Sequence, residues 1–273
     1  MTDPTLKTLD EHREFVEKMA RLSFYFARRL KDKMPESTLG ELVSMRTPLF
    51  YHTLEYQDYQ TKWDNPDCRP IIARANELGN LPPEEFEERM FDSIRDLAME
   101  RAEKFYLQSV GMPGHIPPDW NVGSLKYDSP QPKLQPNRSS WCCFHIANAL
   151  APRSIYADPR HLPECFMELM ERSATEYGYD TLFTGTWLND HPRWLALFPE
   201  EWHKNLSERK DIVGWNFGNW GQVVTARGTF NDKAGQFVRE HLTMKYKSRD
   251  SHCSFANMRA HLREFMRKLD AVS

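Results

Sequence analysis

Trp141-Cys142-Cys143-Phe144-His145-Ile146, then His161 through Tyr177, then Tyr179 through Trp187, is the stretch that decides the fold. The first segment has the length and aromatic content of a strand. The second sets Cys165, Phe166, Leu169 and Met170 at steps of one, three and four, the inward stripe of an amphipathic helix. Gly178 follows where such a helix stops. The third segment is rich in Thr, Phe and Tyr and reads as a buried strand. Strand, helix and strand in succession predict an α/β layer.

Outward toward the C-terminus, Trp194 to Leu206 reads as a short helix, Ile212 to Asn216 as a strand, and Gly221 onward as helix. A closing helix carries Phe255, Leu262, Phe265 and Leu269, with Ser251 or Ser254 as its N-cap. Toward the N-terminus the pattern is helical. Thr8-Leu9-Asp10-Glu11 has capping-box spacing, and Phe15, Met19, Leu22, Phe26 and Leu30 form one apolar stripe that ends by Pro35. A second helical stretch is expected from about Thr38 to Lys62, interrupted or kinked near Pro48, and a third from Pro82-Pro83, with Phe86, Met90, Ile94, Leu97 and Phe105 inward. Between Gly111 and Pro136 six prolines forbid continuous helix. The expected organisation is therefore α/β, with α+β as the alternative. It comprises a helical region at 1–110, a proline-rich linker or draped loop at 111–136, and a mixed-sheet domain with flanking helices at 137–273.

The chain has 273 residues, 40% hydrophobic and 27% charged, which is the composition of a soluble globular protein with a large core. A net charge of -3 provides no global attraction to nucleic acid or to an anionic membrane. Nothing approaches the roughly 18 consecutive apolar residues of a membrane span. Met1 to His12 lacks the charged-then-apolar layout of a signal peptide. The five cysteines, Cys68, Cys142, Cys143, Cys165 and Cys253, are odd in number and form no CxxC, so free thiols in a reducing cytoplasm are expected.

Six of the eight tryptophans fall between Trp141 and Trp220, among His, Asn and Cys, the makings of an apolar pocket with a few polar groups. Side chains alternate along a strand, so Trp141, Cys143 and His145 share one face, with Cys143 and His145 about 6–7 Å apart. That spacing suits two pocket walls or two ligands of one metal; buried packing is the competing reading for each. Asn189, Asp190 and His191 stand at the carboxyl end of a predicted strand, where ligands of open α/β sheets sit. Turn chemistry before Pro192 accounts for the same residues. Gly214 to Gln222 offers open backbone and amides for a polar ligand, but neither phosphate-loop pattern is present.

Phe144-His145-Ile146, the helix at His161–Tyr177, and Thr186-Trp187-Leu188-Asn189 with Pro192 resemble the layout of GNAT-like acyltransferases with a helical N-terminal region. The resemblance covers about 60 residues. Ala147 stands where that family has proline, and Thr186 and Asn189 replace a serine and a leucine. What it implies is an acyltransferase acting on a small polar metabolite, with an acyl-CoA as co-substrate. On that reading His145 is the base, assisted by Asp190 or His191. Asn148, Asn189 and Gln222 hold substrate, while Trp187, Trp194 and Trp220 wall the pocket; no metal is involved. A second reading is a zinc- or iron-dependent hydrolase or lyase using Cys143, His145, His252 and Cys253. A third is a non-catalytic ligand-binding protein.

Overall fold

The computed structural model describes residues 7–50, 54, 66, 68–109, 122–130, 139–211 and 217–271. It divides into two compact units, Met1–Gly111 with Asp211–Lys245, and Met112–Lys210 with Tyr246–Ser273. The expected single segment at 137–273 is thus corrected, because residues 211–245 belong to the helical unit.

The helical unit begins with α1 (Leu9–Lys31), whose Thr8 hydroxyl accepts from Glu11 N at 3.1 Å while Glu11 accepts from Thr8 N at 2.7 Å. These bonds satisfy two of the helix's otherwise unpaired donors. The same box recurs at Thr38 and Glu41 before α2 (Leu39–Arg46). α2 stops before Pro48, since the residue preceding proline is driven out of the helical region, and Thr47 sits at φ -128 and ψ 160. The interruption expected near Pro48 is present, and most of the stretch from there to Lys62 lies outside the described residues. α3 (Cys68–Glu77) was not anticipated. α4 (Pro83–Ser109) starts with proline in its first turn, as the sequence predicts, and lies along α1.

The predicted stripe of Phe15, Met19, Leu22, Phe26 and Leu30 is buried, together with Phe86, Met90 and Ile94 of α4. Trp220 of α8 (Phe217–Trp220) and Val238 of α9 (Asp232–His241) complete this core. Trp220 meets Phe26 edge-on at 5.3 Å. Apolar packing is what recruits residues 217–244 to this unit. The strand expected at Ile212–Asn216 lies outside the described residues.

The second unit is built on a four-stranded mixed sheet in the order β1-β2-β3-β4. The strands are β1 (Leu125–Tyr127), β2 (Trp141–Ile146), β3 (Thr181–Thr186) and β4 (Arg249–Ser254). β2 and β3 are parallel and joined by α5 (His161–Tyr177), the crossover such a pair requires. Gly178 ends α5 at φ 70, the left-handed cap expected there. β1 and β4 add antiparallel edges. β1 corrects the reading of 111–136 as a linker or loop throughout: Leu125 and Tyr127 are buried while Lys126 between them is not, a strand alternation hidden among prolines. The sequence marks β4 only as the lead-in to α10 (Phe255–Asp270), which Ser254 does cap, its hydroxyl accepting from Asn257 N at 3.3 Å.

Cys142, Phe144, Leu182, Thr184, Ser251 and Cys253 point to the buried sheet face. There they share a core with Phe166, Leu169 and Met170 of α5 and Met258 and Leu262 of α10. The helix expected from Trp194 to Leu206 resolves into α6 (Pro192–Leu195) and α7 (Glu200–Lys204). Between them they deliver Trp194, Phe198 and Trp202 to this core, with Phe198 stacked on Trp202 at 4.1 Å and Phe144 edge-on to Phe166 at 5.3 Å. Each such fully buried ring contributes about 1.5–3 kcal/mol through removal from water.

Candidate functional site

The opposite face of the sheet carries the candidate residues Cys143 and His145. Trp141, Cys143 and His145 project from β2 on this side, as strand alternation requires, and none is fully buried. β1 pairs Lys126 with His145, and Asp128 N donates to Cys143 O at 3.0 Å just beyond it. That register sets the Asp128 carboxylate against the imidazole: His145 Nε2 lies 2.9 Å from one carboxylate oxygen and 3.0 Å from the other. With both acceptors facing Nε2, that nitrogen carries a hydrogen, and in the neutral ring Nδ1 keeps the lone pair. Burial pushes the Asp128 carboxyl upward. The hydrogen bond and charge of His145, the Lys126 ammonium and a bond from Cys143 outweigh it and hold the group below its ordinary value. Asp128, Cys143 and His145 each present a ligating atom within 4.8 Å of the others.

The parallel pairing of β2 with β3 runs only from Trp141–Thr181 to Cys143–Phe183. Beyond it, Phe144 to Ile146 is held by β1 and Thr184 to Thr186 by β4. The ladder between the two parallel strands thus ends beside His145, leaving a gap in the pairing. The Thr184 hydroxyl donates to Phe144 O at 2.9 Å across it. A Cβ on Gly185, on the β3 side, would lie 2.5 Å from an Asp250 carboxylate oxygen, so that carboxylate would have to shift. Along the same face, the Trp141 ring lies 4.5 Å from His252 and 5.5 Å from Phe183.

The other expected site residues have different surroundings. Asn189 is fully buried and braces the core: its Oδ1 accepts from Trp194 Nε1 at 3.1 Å and Trp202 Nε1 at 3.2 Å. Its Nδ2 donates to Thr184 O at 3.1 Å and Arg249 O at 2.8 Å. A side chain whose donors and acceptor are all engaged inside the protein holds no substrate, so this assignment is corrected. Trp194 is likewise core rather than pocket wall. Trp220 and Gln222 lie in the helical unit, separate from the sheet that carries His145. Asn148 closes a turn, donating to Arg153 O at 2.8 Å and accepting from Leu150 N at 3.1 Å.

Asp190 and His191 do not act as one pair. The Asp190 carboxylate accepts from Arg209 Nε at 2.8 Å and Lys247 N at 3.1 Å. His191 stacks on Tyr156 at 5.9 Å and meets Tyr246 edge-on at 4.9 Å, and Trp187 stacks on Tyr246 at 6.0 Å. Burial pushes the Tyr156 hydroxyl up to about 12. This aromatic group stands at the carboxyl end of β3, the same edge at which β2 ends.

The expected metal set is also corrected. Cys253 is on the buried face, where desolvation raises its thiol, and His252 sits on β4, beyond β3 from Cys143. Asp128, inside the proline-rich stretch, lies with Cys143 and His145 instead. Its signal was the Leu125-Lys126-Tyr127 alternation just before it. A groove of about 460 Å³ lined by Pro199, Glu200, Glu201, Lys204, Asn205 and Asn257 shares no residue with this cluster. Among the described residues no helix is long and apolar enough to cross a membrane. Comparison with protein-family models, curated proteins and solved structures finds no match for this chain.

Proposed function

We propose that the protein is an acyl-transfer enzyme with His145 as its general base, Asp128 holding the ring and an acyl-CoA as donor. The observation that carries this reading is the gap in the β2–β3 pairing beside the His145–Asp128 pair. A break in a parallel ladder offers backbone amide groups to an extended amide chain, which is the chemistry of a pantetheine arm. His145 Nδ1 would take a proton from the acceptor's amine or hydroxyl as that atom attacks the thioester carbonyl carbon. The carbon–sulfur bond then breaks, and the departing thiolate receives the proton from the imidazolium. Asp128 keeps the ring in the required tautomer and favours its protonated form in the transition state. The acceptor is a small polar metabolite, and the reducing cytoplasm is the proposed compartment, in keeping with five free cysteines.

Calorimetric titration with acetyl-CoA, paired with a thiol-release assay across amine and hydroxyl acceptors, tests the proposal. His145→Ala should keep donor binding and lose about 10²–10⁴-fold in transfer rate. No binding of acetyl-CoA or longer acyl-CoA up to about 1 mM would overturn it, as would an undiminished rate in a folded His145→Ala variant.

A further inference from the structure

We propose that Asp128, Cys143 and His145 form a binding site for one zinc-class divalent ion, with the fourth position open to water. Zinc is borderline in softness and takes thiolate, imidazole and carboxylate together, and one donor of each type is present here. The donors come from two adjacent strand segments whose register is fixed by the Lys126–His145 pairing and the bond from Asp128 N to Cys143 O. Around a tetrahedral ion with bonds of about 2.0–2.3 Å, neighbouring donors lie about 3.3–3.8 Å apart. The three donors here fall within 4.8 Å of one another, so closure asks for about 1 Å of side-chain movement, within the reach of χ adjustments on a partly exposed face. Thiolate and carboxylate together carry two negative charges, which offset those of the ion. The half-exposed His145 side chain leaves an entry path and room for a fourth ligand.

The Lys126 ammonium is the opposing charge beside Asp128. The donor set excludes calcium and magnesium, which take oxygen ligands. An ion here engages the His145 ring, so the zinc-loaded chain lacks the free base of the acyl-transfer reading, and base catalysis belongs to the metal-free chain. The site itself does not depend on the acyl-transfer reading, and it is tested without any turnover.

The test is titration of the metal-free, reduced full-length chain with Co²⁺, reading the near-ultraviolet sulfur-to-cobalt charge-transfer band, followed by displacement with Zn²⁺ in a calorimeter. One ion per chain is expected, with a band that Zn²⁺ abolishes. Cys143→Ser should lose the band. Asp128→Asn and His145→Ala should weaken binding by at least the 10- to 100-fold (roughly) that loss of an outer-shell partner alone causes. His252→Ala should leave the band and the affinity unchanged. No band in the wild-type chain overturns the proposal, as does a band that survives Cys143→Ser. Wild-type affinity in Asp128→Asn, which changes a single atom of a partly exposed side chain, overturns it equally.

Discussion

Replacing Asn189 with leucine should destabilise the sheet-bearing unit far more than its small change in volume implies. Leucine fills nearly the same space, so the cavity contribution is small. The loss is polar. Trp194 Nε1 and Trp202 Nε1 donate to Asn189 Oδ1 at 3.1 and 3.2 Å, and Thr184 O and Arg249 O accept from Nδ2. Each buried donor left without an acceptor costs about 1–3 kcal/mol, so the two indoles together cost about 2–6 kcal/mol before the carbonyls are counted. Against a typical total stability of about 5–15 kcal/mol, that is a large fraction. Urea unfolding followed by tryptophan fluorescence and circular dichroism measures it, and each kcal/mol lowers the melting temperature by about 2–4 °C. Asn189→Asp separates the contributions. Its carboxylate still accepts from both indoles, but it sets a second oxygen against two carbonyl oxygens, so it should also destabilise. A loss below about 1 kcal/mol in Asn189→Leu would refute the reasoning and return Asn189 to consideration as a residue with polar capacity to spare.

Two further outcomes follow from local geometry. The Glu201 carboxylate accepts from Ser254 N at 3.1 Å, Ser254 Oγ at 2.9 Å and Asn257 Nδ2 at 2.6 Å, tying α7 to the start of α10. Burial raises this carboxyl, but those bonds and the nearby His252 outweigh it, so its folded pKa lies below the ordinary 4.5. A depressed carboxylate contributes stability above its unfolded pKa and loses it as pH falls through the folded value. Glu201→Gln should therefore cost about 1 kcal/mol at neutral pH, after allowance for solvent screening, and show a shallower acid-side fall in denaturation midpoint below 4.5 than the wild type. Gly123 and Gly178 both sit at positive φ, 56 and 70, yet an added Cβ meets Cys165 Sγ at 2.6 Å at the first and nothing within 4 Å at the second. Gly178→Ala should cost only the left-handed penalty of about 1–2 kcal/mol, and Gly123→Ala clearly more; equal melting temperatures for the two variants would contradict this.

Much of the helical architecture was readable because it depends on residues within a turn or two of one another. The capping box at Thr8, the stripe from Phe15 to Leu30, the span His161–Tyr177 and the Gly178 cap are all satisfied locally. The alternation of Trp141 to Ile146 also placed Cys143 and His145 on one face. What was misread involves partners far along the chain. Leu125 to Tyr127 is too short to declare itself a strand and becomes one only by pairing with β2. Arg249 to Ser254 is polar, and it is drawn into the sheet by β3, some 70 residues earlier in the chain.

The amino-acid sequence by itself determined helices α1 and α4, the strand–helix–strand centre and the neighbourhood of His145. Tertiary structure decided which groups meet. It placed Asp128 against His145, turned Cys253 to the buried face, gave residues 211–245 to the helical unit and spent Asn189 on two indoles and two carbonyls. The physical reason is the range of the forces. Helical periodicity and capping are settled among near neighbours, whereas sheet register and the satisfaction of buried polar groups join residues such as Asn189 and Arg249, separated by 60 positions, once the chain has closed on itself.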